Sequence, residues 1–288
     1  MARMTVDEKS RCCGAPLGRP RDSEALSVAA CARCGTLWAT HRRPSSATKP
    51  WDASYVPREF VSALEARRRA QATAIADAFA GALGKGRVLD YACGQGLFLR
   101  ELVDRGLDAT GCDLDAEVPS SVVPAGPRRL TLAVPWEVPK GDWHTVALLD
   151  VLEHHPAPIR FLKSLGARQL LVKVPLVEGP SGLVARLLAR LGRPRLLEAL
   201  MLVGELAPHQ AYFTVPGLLT VAERAGFVEV RRLRLAEVGR ELPERLRVEV
   251  PSPLRRLARG GGRALEALSP TWSDTAVFLF ARAGLSAA

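Results

Sequence analysis

The sequence lacks the long apolar runs that secretion signals and membrane spans require. Its amino terminus, MARMTVDEKSRCC, has no apolar core of about 7–15 residues such as a signal peptide carries. No segment reaches about 18 uninterrupted apolar residues, because arginines and Pro194 interrupt the most apolar stretch, 183–203. We therefore expect a cytoplasmic protein whose six cysteines are reduced, which favours metal binding or packing over disulfides.

Aromatic residues are scarce as well, at 6% of 288 residues, and acidic residues are outnumbered by basic ones, 30 to 40. The net charge of +10 permits binding to nucleic acids or anionic membranes. The basic residues are spread along the chain with few aromatics among them, however, which is typical of a solvated arginine-rich surface. With 48% hydrophobic residues the chain can bury a substantial core.

Strand-like apolar runs alternate with helix-like runs along the chain, without an internal repeat. The runs that predict strands are 87–92, 108–113, 128–134, 144–150, 168–175, 227–235 and 274–282. Those that predict helices are 58–83, 95–106, 156–165 and 215–227. Strands that alternate with helices predict a parallel sheet covered on both faces.

A glycine turn follows the first predicted strand, in VLDYACGQGLFL at 88–99. The G-x-G-x-x-G turn of dinucleotide-binding folds needs its third glycine for close helix packing. Here that position is Leu99, which argues against a pyrophosphate ligand. Asp90 precedes the turn instead, an arrangement that suits a ligand with a cationic amino group, such as S-adenosylmethionine.

Two further predicted strands end in acidic residues. Asp113 ends the second strand, where a carboxylate can accept hydrogen bonds from both ribose hydroxyls of a nucleoside. Asp150 ends the apolar fourth strand, and Glu153, His154 and Pro156 follow it. Because these strands are expected to be parallel, the acidic residues should meet at the carboxyl edge of the sheet.

With these motifs the chain resembles the class I S-adenosylmethionine-dependent methyltransferases. The similar branch carries VLDxGCGxG, GxD, DVLEHxxDP, a VP that ends strand five, and PHxxxFT. This sequence has VLDYACGQG, GCDLD, DVLEHHPAP, LLVKVP and APHQAYFT in that order, between residues 50 and 235. The resemblance implies a Rossmann-like, doubly wound α/β sheet of seven strands whose last strand is antiparallel.

The resemblance also assigns residues to donor binding. They are Asp90, Ala92, Gly94 and Gly96 at the amino-acid portion, Asp113 at the ribose, Leu114 at the adenine, and Asp150 and Val151 at the methionine and sulfonium end. Ala92 departs from the family pattern, which has glycine there. Many relatives also have an acid that contacts the adenine amino group, where this chain reads LTLAVPW at 130–136. We expect the backbone to make that contact.

Three histidines are candidate catalytic bases. Methyl transfer from a sulfonium is an in-line displacement, so the protein mainly positions the acceptor and needs a base only when the acceptor loses a proton. His154, His155 and His209 are the candidates, because imidazole titrates near neutral pH. The alternative is that residues 153–156 form a strand-to-helix turn whose side chains satisfy backbone groups.

Four cysteines lie in the first 45 residues. CARCG at 31–35 has the spacing of one half of a zinc ribbon, and SRCCG at 10–14 is a degenerate second half with Ser10 in place of cysteine. The candidate ligands of a structural zinc are Cys12, Cys13, Cys31 and Cys34, with His41 as a further candidate. Adjacent cysteines bind one tetrahedral ion only with an unusual backbone, so a ribbon packed without metal is the alternative.

We expect a Cys-rich module at 1–45, a linker and helical cap at 46–84, and a methyltransferase domain at 85–284. Helical and basic insertions at 181–206 and 238–270 lie where such folds cover the acceptor. Their leucines and arginines favour a small-molecule acceptor, such as a natural product, a sugar, or a lipid-like or anionic compound.

Two other functions are compatible with the motifs. One is a nucleic-acid or protein methyltransferase that recognises its substrate through the basic surface and the Cys-rich module. Against nucleic acid, DVLE stands where base-methylating enzymes carry an N/D-P-P-Y/F motif. The other is a protein that binds the donor without catalysis.

Overall fold

A computed structural model describes residues 9–23, 25–41, 58–114, 128–132, 134–179, 182–183, 186–187, 190–191, 197–198, 201, 208–235 and 274–284. The first part of the expected linker and cap, residues 46–57, and the insertion at 238–270 lie outside these residues, as does most of the insertion at 181–206. No helix of the described ranges is long and apolar enough to cross a membrane.

The described strands belong to two sheets. They are β1 (Arg21–Asp22), β2 (Leu26–Ala30), β3 (Leu37–His41), β4 (Val88–Tyr91), β5 (Ala109–Asp113), β6 (Arg128–Thr131), β7 (Thr145–Leu149), β8 (Gln169–Pro175), β9 (Ala211–Tyr212), β10 (Phe227–Leu235) and β11 (Thr275–Arg282). The larger sheet has the order β10-β11-β8-β7-β4-β5-β6, and the smaller one β1-β2-β3-β9.

The larger sheet confirms the expected α/β fold of seven strands. From β6 to β8 neighbouring strands are parallel, whereas β11 pairs antiparallel with both β8 and β10. The last strand of the chain is therefore antiparallel, as the sequence predicts. Each of the seven predicted runs contains one strand of this sheet, with ends shifted by at most three residues.

Helices cover both faces of this sheet. They are α1 (Arg58–Ala78), α2 (Ala80–Leu83), α3 (Leu97–Asp104), α4 (Pro158–Ser164) and α5 (Val215–Arg224), with a 3-10 turn at Leu152–His154. The predicted helix 58–83 is broken at Phe79 into α1 and α2. The predicted helix 156–165 begins at Pro158, since the 3-10 turn precedes it.

Alternate residues of each central strand face two separate cores. Val88 and Ala147 pack with Ile75 of α1 in one core, whereas Leu89 and Val146 belong to the other. Strands covered on both faces read as continuous apolar runs, which is why the sequence made them easy to recognise.

The small sheet joins the Cys-rich module to the rest of the chain. β3 pairs antiparallel with β9, which comes from the PHQAYFT segment: Leu37 lies opposite Tyr212, and Trp38 opposite Ala211. Trp38 also meets Phe213 edge to face, with ring centroids 6.0 Å apart. The module therefore shares a sheet with residues that follow the candidate base His209.

A second contact attaches the module to α5. Thr214 caps this helix by accepting a hydrogen bond from the Gly217 N–H, and its hydroxyl donates to the Cys34 carbonyl at 2.7 Å. A Cβ atom at Gly217 would overlap the Thr36 hydroxyl, so glycine allows the close approach. At the other end of α5, Arg224 donates to the Cys12 carbonyl at 2.9 Å.

Candidate functional site

The carboxyl ends of β4, β5 and β7 meet at one edge of the large sheet. Tyr91 of β4 lies opposite both Cys112 of β5 and Leu148 of β7. The residues that follow these positions, including Asp113 and Asp150, are therefore brought to the same edge. In open α/β sheets this edge is where ligands bind.

The turn after β4 is built from left-handed residues. Ala92, Gly94 and Gly96 have φ angles of 54°, 52° and 74°, and Gly96 precedes the first turn of α3. Glycine adopts this conformation freely, whereas a Cβ atom there costs about 1 kcal/mol. Ala92 therefore occupies a position that favours glycine.

Asp90 lies beneath this turn. It is 3% exposed and accepts a hydrogen bond from the Leu99 backbone N–H. Its Oδ2 atom has no hydrogen-bond partner among the described residues. Burial, with a smaller contribution from the nearby charge of Asp113, raises the pKa of this carboxyl to about 7.

Asp113 connects the tip of β5 to the turn. Its Oδ2 atom accepts a hydrogen bond from the Gly94 N–H at 2.7 Å. The Leu132 N–H donates to the Asp113 carbonyl, which places the 130–136 stretch beside it. Leu114 and Val134, about half exposed at 51% and 57%, add apolar surface near the carboxylate.

Asp150 also has a left-handed backbone, with a φ of 59°. Its carboxylate forms an ion pair with Lys173 of β8 at 2.8 Å, and the lysine side chain is only 8% exposed. Lys173 also donates to Gln71 of α1 at 3.3 Å. Lys173 was not among the predicted site residues, although a lysine inside the apolar run LLVKVP was the available signal. Val151, which follows Asp150, is buried.

His154 and His209 meet although they are far apart in sequence. Their ring centroids lie 4.6 Å apart. One carboxylate oxygen of Glu153, one ring nitrogen of His154 and one ring nitrogen of His209 all lie within 4.8 Å of one another. The Gln210 N–H donates to the Glu153 carbonyl at 2.8 Å and so fixes the returning segment at this edge. Glu153 itself is 1% exposed.

His155 has different surroundings. Its Nδ1 atom accepts a hydrogen bond from the Ala157 N–H at 2.8 Å, and its ring stacks on Phe161 at 4.6 Å. Burial lowers its pKa to about 4, with a smaller contribution from the charge of Arg160. His155 is therefore neutral near pH 7 and satisfies a backbone group of the turn.

The four amino-terminal thiols form one cluster in which all sulfur atoms lie within 4.8 Å of one another. The Sγ–Sγ distances are 3.4 Å for Cys12–Cys34, 3.3 Å for Cys13–Cys31 and 3.9 Å for Cys12–Cys13. All four cysteines are free rather than disulfide-bonded. Four thiolates around one tetrahedral zinc ion would lie about 3.8 Å apart, so this donor set fits the metal.

Two similar backbone turns bring the thiols together. The Gly14 N–H donates to the Ser10 carbonyl at 3.0 Å, and the Gly35 N–H donates to the Cys31 carbonyl at 2.8 Å. Ser10 thus occupies the position of Cys31 in the other turn, and Cys12 contributes its thiol instead. The side chain of His41, the further candidate ligand, lies outside the described part of the chain.

One hydrogen bond within this cluster changes the acidity of two thiols. The hydrogen bond between the Cys12 and Cys34 thiols lowers the pKa of Cys34. The same hydrogen bond, together with burial, raises the pKa of Cys12. Cys34 is therefore the thiol of the pair that loses its proton first, and a thiolate is the form that binds a metal ion.

Comparison with protein families gives one match that covers more than half of the chain. A family model described as a methyltransferase domain matches residues 63–231. A search of curated protein sequences finds no match.

Several solved structures are similar to the chain at low identity. A mycolic acid cyclopropane synthase, crystallised with S-adenosylhomocysteine, is 17% identical over 75% of this chain and 85% of its own, with a TM-score of 0.50. Magnesium protoporphyrin IX methyltransferase from Synechocystis PCC 6803 is 18% identical over 75% of this chain and 83% of its own, with a TM-score of 0.46.

A 1,6-didemethyltoxoflavin-N1-methyltransferase from Burkholderia thailandensis is 16% identical over 92% of this chain and 100% of its own, with a TM-score of 0.44. Its structure holds 1,6-didemethyltoxoflavin and S-adenosylhomocysteine. The similarity to the cyclopropane synthase, at 17% identity and a TM-score of 0.50, shows the fold alone.

The raised pKa of Asp90 predicts a pH dependence of stability. The folded-state pKa of about 7 lies above the ordinary value of 3.8. Between these values the folded state binds more protons, so the free energy of unfolding should fall as pH rises from about 4 to about 7. The fall should reach at most about 4 kcal/mol.

The substitution Asp90→Asn should remove this fall, because the amide stays neutral while it still accepts the Leu99 hydrogen bond. Urea unfolding at pH 5 and pH 8 measures the effect. Asp142 is exposed, so Asp142→Asn serves as the control and should show the same fall in the free energy of unfolding as wild type. An equal change in the free energy of unfolding with pH for wild type and Asp90→Asn would contradict the raised pKa of Asp90.

Proposed function

The chain belongs to the methyltransferase domain family that residues 63–231 match, and on that premise we propose that it is an S-adenosylmethionine-dependent methyltransferase acting on a small-molecule acceptor. The observation that carries the proposal is the assembly, at one sheet edge, of an acidic glycine turn and the cluster of Glu153, His154 and His209. The turn suits the donor, and the cluster suits an acceptor that loses a proton.

The residues of the turn fit the donor. Asp90 offers a buried carboxylate oxygen near the left-handed turn, which suits the cationic amino group of the amino-acid portion. The Asp113 carboxylate can accept hydrogen bonds from the ribose hydroxyls, and Leu114 gives an apolar surface for the adenine. Asp150 and Val151 lie where the family holds the methionine end. When bound, the donor supplies a sulfonium-activated methyl group.

Two of the three histidines fit the role of base. His154 and His209 face each other beside Glu153, whose carboxylate can orient an imidazole and stabilise its protonated form. His155 has a low pKa and a backbone hydrogen bond at Nδ1, so we assign it a structural role. A proton removed from the acceptor would then be held by an imidazole ring nitrogen of His154 or His209.

The Cys-rich module is proposed to hold one structural zinc ion through Cys12, Cys13, Cys31 and Cys34. Its support is the sulfur cluster, whose distances fit a tetrahedral ion. The module would then order β3, which pairs with β9 near His209. We keep 1–45, 46–84 and 85–284 as the proposed division of the chain. We also propose a cytoplasmic location, where thiols stay reduced.

Methyl transfer is tested by incubating the protein with methyl-labelled S-adenosylmethionine and a metabolite extract. Wild type should label a small molecule. His154→Ala or His209→Ala should lower the rate by about 100-fold or more if the altered residue is the base. His144→Ala, at the amino end of β7 and away from this edge, should stay close to wild type.

Three outcomes would contradict parts of this account. Label found in RNA or protein, and absent from small molecules, would overturn the acceptor class. Wild-type rates in both histidine variants would overturn the base assignment. Absence of label from every fraction would leave a donor-binding protein without catalysis.

Zinc binding is tested by elemental analysis of protein purified without chelator. One zinc per chain is expected, and Cys31→Ser should reduce both the zinc content and the free energy of unfolding. Cys93→Ser, outside the cluster, should keep the metal. Zinc-free wild-type protein that is fully folded would overturn the metal site.

A further inference from the structure

We propose that Lys173 is a positioning residue that acts on the methyl donor through Asp150, because its ammonium group cancels the charge of the Asp150 carboxylate at the sulfonium end of the donor site. The inference rests on the proposed function and deepens it, since it assigns a role in donor binding to a residue that the family resemblance leaves unassigned. The central contact is the ion pair between Lys173 Nζ and Asp150 Oδ2, which lie 2.8 Å apart.

Lys173 lies on an apolar face of the large sheet. Leu171, two residues earlier on β8, and Val277, the partner of Lys173 on β11, both belong to the core that α1 covers. Because alternate residues of a strand share a face, the Lys173 side chain leaves the sheet on the same side. Its hydrogen bond to Gln71 of α1, at 3.3 Å, agrees with this placement. Packing alone would favour an apolar residue at this position.

The ion pair joins a buried group to an exposed one. The Lys173 side chain is 8% exposed, whereas that of Asp150 is 50% exposed. A buried ammonium group costs free energy unless an opposite charge compensates it. Replacement of a buried ion pair by apolar residues is often neutral or stabilising, so the stability of the fold does not account for the pair. The lysine instead compensates a charge that a ligand can reach.

The main chain holds Asp150 against the same residue. The Asp150 N–H donates to the Lys173 carbonyl at 3.1 Å. The φ of Asp150, 59°, lies in the left-handed region, which is unfavourable for a residue with a Cβ atom. Strained conformations of this kind persist where surrounding contacts maintain them, and they are common at binding sites. Lys173 therefore contacts Asp150 through both its main chain and its side chain.

Asp150 lies beside the proposed donor turn. Strands β4 and β7 are neighbours, with Tyr91 opposite Leu148. Since β4 ends at Tyr91 and β7 at Leu149, Ala92 and Asp150 directly follow the ends of two strands that lie about 4.8 Å apart. The proposed function places the amino-acid portion of the donor at the first of these residues and its methionine and sulfonium end at the second. A charge on Asp150 would act on that end at short range.

Cancelling this charge favours methyl transfer. The donor sulfur loses its positive charge in the reaction, because the C–S bond breaks with its electron pair left on sulfur while the acceptor supplies the pair of the new bond to carbon. An uncompensated carboxylate beside the sulfur would stabilise the charged ground state more than the transition state, which slows the chemical step. It would also favour S-adenosylmethionine over S-adenosylhomocysteine, whose sulfur is neutral. Lys173 prevents both effects by making Asp150 part of a neutral pair.

The test compares, by calorimetry, the affinities for these two compounds. Lys173→Met leaves Asp150 negative, so the ratio of the S-adenosylhomocysteine Kd to the S-adenosylmethionine Kd should rise about fivefold or more. Asp150→Asn leaves Lys173 positive, so the same ratio should fall about fivefold or more. The variant that carries both substitutions should return to the wild-type ratio, because neither charge remains.

Lys85→Met and Asp142→Asn are the matched controls. Both residues are exposed and lie three residues before β4 and β7, at the opposite edge of the sheet, so both variants should keep the wild-type ratio. A lysine that only supports the fold would change the affinity for both compounds equally. An unchanged ratio in Lys173→Met would therefore overturn the inference. If Lys173→Met does not fold, Asp150→Asn decides in the same way.

Labelled methyl transfer gives a second readout. Lys173→Met should lower kcat about fivefold or more and should also lower the KM of the donor, because the charged ground state is stabilised. A wild-type kcat in this variant would contradict the inference. Wild-type protein that binds neither compound would instead count against the proposed function. Binding and methyl transfer by wild type, with unchanged ratios in the variants, would overturn only the role of Lys173.

Discussion

The register of the parallel pairing between β4, β5 and β7 is the constraint on which the candidate site depends. It places the residues after Tyr91, Cys112 and Leu148 at one edge. A slip of one residue would turn every side chain of a strand to the opposite face. Both faces are buried in separate cores, so such a slip would exchange side chains of different size between two closely packed cores. Packing far from the edge therefore holds Asp90, Asp113 and Asp150 at the edge where we propose that the donor binds.

The segment PHQAYFT connects this edge with the Cys-rich module. Within seven residues it supplies His209, the short strand β9 and Thr214, which caps α5 and donates to the Cys34 carbonyl. Order in the module is thereby linked to the position of a proposed catalytic side chain. The same docking brings Arg11 across from α4.

The sequence predicted the large sheet well because each buried strand reads as an apolar run bounded by turn residues. It also predicted which strand ends carry acidic residues. It did not predict β9, since two residues carry no periodic pattern and their partner β3 lies about 170 residues earlier. The ion pair of Lys173 with Asp150 depends on a tertiary contact that no local pattern records.

In the Cys-rich module, too, the contacts between side chains could not be predicted from the sequence, although the residues concerned lie close together in the chain. Adjacent Cys12 and Cys13 argued against a shared metal ion, yet the turn at Gly14 brings both thiols into one cluster with Cys31 and Cys34. Ser10, which stands where a cysteine was expected, donates no metal-binding sulfur but keeps the fold of the turn. The spacing of the cysteines alone could not show that Cys12, two residues later, would supply a thiol to the cluster in place of Ser10.

Calorimetric titration with S-adenosylhomocysteine tests the central claim, that the acidic glycine turn is a donor site, most directly. The account predicts one bound molecule per chain and a loss of affinity of about 10-fold to 100-fold in Asp113→Ala, because hydrogen bonds to a charged acceptor are lost. Asp142→Ala should bind as wild type does. Folded wild-type protein that binds neither this compound nor S-adenosylmethionine at millimolar concentration would contradict the account.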